Sequence, residues 1–295
     1  MTIRLGVNPI GWTNDDLPGL GDDISLEACL TEARAAGYTG VELGRKFPRE
    51  PQALGAVLAR HDLALVSGWY SLRLLERGID DEFAAMADHF ALLKALGATV
   101  MVACEVTGCI HGDRQARLSG RPHVAPQRWP EFGARLTRLA QRMRAGGLRM
   151  AYHHHMGTVV QSGADIDALM QYTGPEVELL LDTGHLAFAG ENPVRFATNY
   201  AARIAHLHCK DVRPAVLARA LNRDTSFLDA VVMGVFTVPG DGSVDYPAVL
   251  GPIARAGYEG WLVVEAEQDP AIAIPAVHAR KGHDYLARIT RPLFT

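Results

Sequence analysis

Two rhythms of apolar and polar positions alternate along the chain. Short, mostly apolar runs occupy residues 3–10, 39–44, 63–69, 99–106, 148–155, 177–182, 204–211 and 260–267. Between most of them, apolar residues return every three or four positions, the spacing of one helix face. In residues 25–38, Leu26, Cys29, Leu30 and Ala33 share such a face, and Ser25 stands where an N-cap oxygen is wanted. Pro51 opens the helical stretch 51–62, and Gly97 stands near the end of 81–98, where a left-handed cap residue is favoured. Further helical stretches cover 131–147, 164–173, 192–203 and 246–258. The strand runs are apolar on both faces, as parallel strands covered on both sides should be. Eight such strand runs, seven of them followed by a helical stretch, predict an α/β fold, a (β/α)8 TIM barrel formed as one domain over residues 1–295. A doubly wound open sheet is the alternative. Its dinucleotide fingerprint is missing, because GLGDD at 19–23 lacks the Gly-x-Gly-x-x-Gly spacing and an incoming strand.

A barrel places its chemistry at the C-terminal strand ends. Polar residues gather there. Glu42 ends the second run, with Lys46 just beyond, and Glu105 ends the fourth. The fifth closes on His153, His154 and His155, and the sixth on Asp182 with His185 following. The seventh carries His206, His208, Lys210 and Asp211, and the eighth ends in Glu265 and Glu267. Taken singly, each has an ordinary reading as a cap, a core histidine or a surface charge. Taken together, carboxylates and imidazoles from strands five to eight on one rim imply a cation or a shared proton. A mixed nitrogen and oxygen shell suits Mn²⁺, Co²⁺, Fe²⁺ or Zn²⁺. Strand alternation narrows the choice: Asp182 follows the apolar run VELLL, His208 lies nearer the rim than His206, and Glu265 ends its run. The same alternation turns His153 and His155 toward the barrel mouth and His154 away. Loops 107–130 and 212–247 are long enough to be lids or substrate walls, and the second should pack on the barrel top.

Composition removes other classes. With 29 basic and 33 acidic residues the net charge is -4, and no basic tract marks a nucleic-acid surface. No run reaches the ~20 apolar residues of a membrane helix. The N-terminal residues lack a secretory signal pattern, and the four cysteines form no Cys-x-x-Cys pair. The expectation is a cytoplasmic protein acting on small molecules, without nucleic-acid or membrane partners, in a monomeric or homo-oligomeric state.

Particular stretches add a resemblance. NPIGWTNDDLP, GVELGRKFPR, SGWYS, LLKALGA, YHHHMGTVVQ, LLLDTGHLAFAG, HLHCKDVR, GVFTVPGDG and VVEAEQDP run from one end of the chain to the other. In them the chain resembles the inosose dehydratases of the xylose isomerase-like barrel superfamily, with rhizopine catabolism proteins as near relatives. The resemblance implies a hydro-lyase of inositol catabolism that removes water from 2-keto-myo-inositol (scyllo-inosose) to give a deoxy diketone. It also implies a divalent metal, manganese or cobalt first and zinc or iron as alternatives, and adds glutathione by resemblance only. Asp182, His208 and Glu265 match three of the superfamily's four ligand positions. The strand-five glutamate is replaced by histidine, so the fourth ligand is His153, His155 or water.

The reaction needs removal of a proton α to a ketone, stabilisation of the enolate and protonation of a departing hydroxyl. Glu265 or a hydroxide on the metal is the expected base, and His155 or His185 the expected acid. Lys46 and Lys210 are expected on the oxyanion or substrate hydroxyls. Glu42, Glu267 and Arg213 are expected to bind the polyol, with Trp12 and Trp69 as aromatic walls. Two other readings use the same residues: a metal-dependent ketose or cyclitol isomerase or epimerase, and a barrel that binds polyols without turnover.

Overall fold

The structure is a computed structural model, and it describes residues 3–294. Eight parallel strands close into a barrel: β1 (Ile3–Val7), β2 (Gly40–Leu43), β3 (Ala64–Leu72), β4 (Val100–Glu105), β5 (Arg149–His153), β6 (Val177–Asp182), β7 (Ile204–Cys209) and β8 (Gly260–Val264). Each pairs with its neighbours in sequence, and β8 closes on β1 with Val264 opposite Val7. The sequence expectation of a (β/α)8 barrel is met. The third apolar run extends further than the pattern indicated, to Leu72, and the fifth stops at His153, leaving His154 and His155 in the following turn.

Alternate residues of the strands point into the barrel and build two layers. The lower layer is apolar. Val66, Trp261 and Val263 pack together there, and Val100, Val102, Ala151, Leu180 and Ala205 form a neighbouring cluster. Trp261 fits because Gly40 has no side chain: a Cβ there would stand 2.5 Å from the indole. Two residues further along their strands come Glu42, His153, Asp182 and Glu265, so the chain's period of two stacks a polar layer directly on a dry floor.

Helices cover the barrel. α1 (Leu26–Ala36) is capped by the Ser25 hydroxyl and ends on Gly37 in the left-handed region, as the pattern indicated. α2 (Pro51–Arg60) follows β2. The stretch expected as one helix at 81–98 is divided into Ile79–Ala85 and Ala87–Ala95. The division is slight, because the Met86 N–H reaches the Glu82 carbonyl and the Phe90 N–H reaches Met86. The helix Pro275–Thr290, absent from the sequence reading, packs on α1 and β1 and completes the ring. The segment after β7 holds two helices, Pro214–Asn222 and Phe227–Val232, and a short ribbon pairing Asp211–Val212 with Phe236–Thr237. Leu118, Met156, Phe188, Phe227 and Phe236 bury this cap in its own apolar cluster over the barrel top. Among the described residues no helix is long and apolar enough to cross a membrane.

Candidate active site

Four side chains converge above the dry floor: His153 from β5, Asp182 from β6, His208 from β7 and Glu265 just past β8. Asp182 Oδ2 lies 3.3 Å from His153 Nε2 and 3.6 Å from His208 Nδ1. His208 Nδ1 lies 2.9 Å from Glu265 Oε2. Ligands about 2.0–2.2 Å from a shared ion stand roughly 3.0–3.5 Å apart, and the three separations here lie at or close to that range. His208 Nδ1 is buried and, for all its closeness to Glu265, has no aligned hydrogen-bond partner. That is how two ligands of a common ion face each other.

Charge points the same way. Glu42, Asp182, Glu265 and Glu267 are all buried, and among the described residues Lys210 is the one buried ammonium near them. Burial alone would lower the His208 pKa, but Glu265 and Glu42 lift it well above the ordinary imidazole value. Burial likewise opposes ionisation of Glu265, yet His208 and Lys210 pull its carboxyl down to about 2. A proton on His208 thus meets a demand for positive charge that a divalent ion would meet in its place. The donor set fits such an ion.

Lys210 is wholly buried. Its Nζ lies 2.5 Å from Glu265, 2.7 Å from Glu267 and 3.1 Å from His185 Nε2. Thr183 Oγ1 accepts from the Lys210 N–H at 3.1 Å and donates to its carbonyl at 2.8 Å, so the residue is held at both ends. Room for its stem comes from Gly184, where a Cβ would stand 2.4 Å from Lys210 Cγ. Glu267 keeps one oxygen, Oε2, buried and without a partner. Burial pushes its carboxyl up to about 7. His155 donates from Nδ1 to the Met156 carbonyl at 2.8 Å, which leaves Nε2 unprotonated. Burial, with His111 and His153 nearby, holds its pKa well below the ordinary value and keeps the ring neutral. His154 turns away, and its Nε2 accepts from the Asp182 N–H at 3.2 Å.

A cavity of about 620 Å³, counting the open space at its mouth, lies over these groups. His153, His155, His208, Glu265 and Glu267 line it, with Glu42 at the β2 side and Trp69 as an aromatic wall. The Trp69 ring meets His153 and His155 edge-on at 5.4 and 5.6 Å.

Known proteins share this arrangement of the chain. The family model described as xylose isomerase-like TIM barrel matches residues 30–289. The chain belongs to the xylose isomerase-like TIM barrel family. Within it, the chain is 50% identical to the rhizopine catabolism protein MocC of Rhizobium meliloti, over 98% of this chain and 89% of that one. It is 43% identical to an inosose dehydratase of Lacticaseibacillus casei, over 97% of each. The solved IOLI protein, with a bound zinc atom, superposes with a TM-score of 0.66 at 16% identity, over 99% of this chain and 98% of that one, a likeness of fold.

In this xylose isomerase-like barrel three residues expected at the substrate lie elsewhere. Lys46 Nζ donates to the carbonyls of Gly21, Asp22 and Ile24 and fastens the loop before α1. Arg213 donates to Gly234, Phe236, Thr237 and Asp241 and braces the cap. Trp12 is buried against the helix layer, its Nε1 on Glu32 at 2.7 Å. Each follows its strand end by several residues, where alternation no longer sets direction. His185 and Lys210 sit beneath the lining rather than in it, and Glu105 is used up on the backbone N–H groups of Leu74 and Thr107. The barrel also exposes residues that the sequence reading missed. Asn8, at the end of β1, donates to Glu42 at 2.8 Å and to Glu265 at 3.0 Å. Asp15, Asp16 and His111 come from loops to the cavity rim. Asn8 alone carried a signal, a polar residue ending a strand paired with β8.

Proposed function

We propose that this protein is a dehydratase of inositol catabolism, a carbon–oxygen lyase that removes water from 2-keto-myo-inositol (scyllo-inosose). The observation that carries the reading is the 43% identity to an inosose dehydratase along 97% of both chains. The cavity chemistry supports it. Trp69 offers an apolar face to a cyclitol ring, and Asp15 and Asp16 offer carboxylate partners to its hydroxyls. A divalent ion held by Asp182, His208, Glu265 and His153, manganese or cobalt before zinc or iron, would act as a Lewis acid toward the enolate oxygen.

The hydrogen bonds redistribute the proton-transfer roles. Glu265 is engaged at both oxygens, by Lys210 at one and by Asn8 at the other, so it is a poor base. His155, with Nδ1 committed to Met156, accepts the α-proton at Nε2. The carbon–hydrogen pair becomes the enolate, and the β carbon–oxygen bond breaks as Glu267 gives its proton to the departing hydroxyl. Lys210 then balances the carboxylate left on Glu267, at 2.7 Å. A related cyclitol from rhizopine catabolism is the second reading, favoured by the 50% identity to MocC.

The test is elimination from scyllo-inosose followed by product mass, in the wild type and in His208→Ala and Asp182→Ala. A product lighter by one water, lost together with bound metal in both variants, is expected. A product of unchanged mass makes the enzyme an epimerase, and full activity without metal overturns the metal centre.

A further inference from the structure

The Glu42 carboxylate lies across the barrel from β7 and is buried, with 2% of its surface exposed. Its Oε1 lies 2.9 Å from His206 Nε2, and its Oε2 lies 3.1 Å from His208 Nε2. Asn8 Nδ2 donates to that same Oε2. Both oxygens are therefore occupied by donors. Glu42, His206 and His208 lie close enough to resemble a metal cluster of their own. In that reading His208 would turn to the ion the same Nε2 that faces Glu42, and its buried Nδ1 would stay unpartnered between Asp182 and Glu265. A carboxylate accepts only, so the two imidazoles must each place a proton on Nε2. For His208 this has a consequence at the other side of the ring. Nδ1, which faces Asp182 and Glu265, is the nitrogen left for a ligand.

We propose that Glu42 is a positioning residue, one that fixes the orientation and tautomer of His208 so that Nδ1 is presented to a divalent ion. The inference rests on the metal-centre reading given above. Asn8 extends the device. By donating to Glu42 and to Glu265 at once, it ties the carboxylate behind the imidazole to the carboxylate beside it. A polar group on a strand end reads as a substrate contact from sequence. Here its two oxygens are committed to the protein, and the substrate gains little from them. Outer partners of this kind raise the basicity of a metal-bound imidazole and hold its ring in place.

The experiment is calorimetric titration of the metal-free protein with Mn²⁺ and Co²⁺, in the wild type, Glu42→Gln, Glu42→Ala and His208→Ala. His208→Ala removes a ligand and should abolish tight binding. Glu42→Gln keeps shape and removes charge, and should weaken binding by about 10-fold. Glu42→Ala also removes the acceptor and should weaken it by about 100-fold. In the Zn²⁺-loaded wild type, ¹⁵N-labelled histidine should show a ring proton on His208 Nε2 sheltered from exchange. That proton should persist in Glu42→Gln and exchange freely in Glu42→Ala. If Glu42→Ala fails to fold, Glu42→Gln still reads the affinity. Wild-type affinity in the Glu42 variants with loss in His208→Ala overturns the role of Glu42 and leaves the centre standing, as does a change confined to KM. Wild-type affinity in His208→Ala overturns the centre itself.

Discussion

A single methyl group at Gly184 should unseat Lys210. The Cβ of Gly184→Ala would stand 2.4, 2.7 and 2.8 Å from Cγ, Cδ and Cβ of Lys210, and contact becomes ordinary only beyond 3.4 Å. The stem must therefore retreat by about 1 Å. It cannot do so from the backbone, where Thr183 holds both the N–H and the carbonyl of Lys210. The ammonium is flanked as well, 4.5 Å from the centre of the Phe236 ring. The motion falls on Nζ, whose contacts to Glu265 and Glu267 lengthen. Crowding of this kind costs about 1–3 kcal/mol, against a gain of roughly 0.5–1 kcal/mol from replacing a glycine in the short helix Thr183–Phe188. A net loss of roughly 0–2.5 kcal/mol follows, measured as a lower urea midpoint at unchanged slope. Turnover should fall further than stability accounts for, because the ammonium no longer neutralises Glu267. Lys210→Met in the Gly184→Ala background should add little to the loss of turnover, since the two changes remove one contact. A Gly184→Ala protein as stable and as active as the wild type would refute the packing argument.

Lys46→Met tests the placement of that lysine on three backbone carbonyls: stability should fall by about 1 kcal/mol in urea titration, with KM unchanged. A raised KM with unaltered stability would return Lys46 to the substrate. Asp241 gives a dependence on pH. Burial raises its pKa, but Lys281, Thr237 and Arg213 together bring it down from 3.8 to about 2. Its folded value is the lower one, so its contribution is complete above pH 4 and is lost as pH falls toward 2. Asp241→Asn should flatten the stability curve of the protein in that window and leave it parallel to the wild type at neutral pH.

Much of this barrel can be read from the chain, because buried parallel strands are marked by apolar runs set between helical stretches, although the similar run at 230–238 belongs to the cap. The missing eighth helix shows where the signal fades. Its buried face is made of Ala279, Gly282, Leu286 and Thr290, which recur at helical spacing but include one large apolar residue, so the stretch holds no apolar run to draw the eye. Within the site, strand alternation brings Asp182, His208 and Glu265 to one face and sends His154 to the other. It holds for a residue or two beyond a strand end and no further, which is why Lys46, Arg213 and Trp12 went astray. His111 and Asp16 reach the cavity from loops, whose course is set by tertiary packing. The proposed transfer of the base's role from Glu265 to His155 lay beyond any sequence pattern, because it depends on the hydrogen bond from one ring nitrogen to the next residue's carbonyl.

The indole of Trp261, seated over Gly40, has a kinetic consequence. It stops the barrel from below, and the chamber above it is a cul-de-sac. A ring that enters, the ring that leaves and the molecule of water expelled share one doorway at the strand ends. Exit must precede the next entry, so the dehydrated product should inhibit competitively against the substrate, and traffic through the doorway sets an upper limit on turnover however fast the bonds are broken.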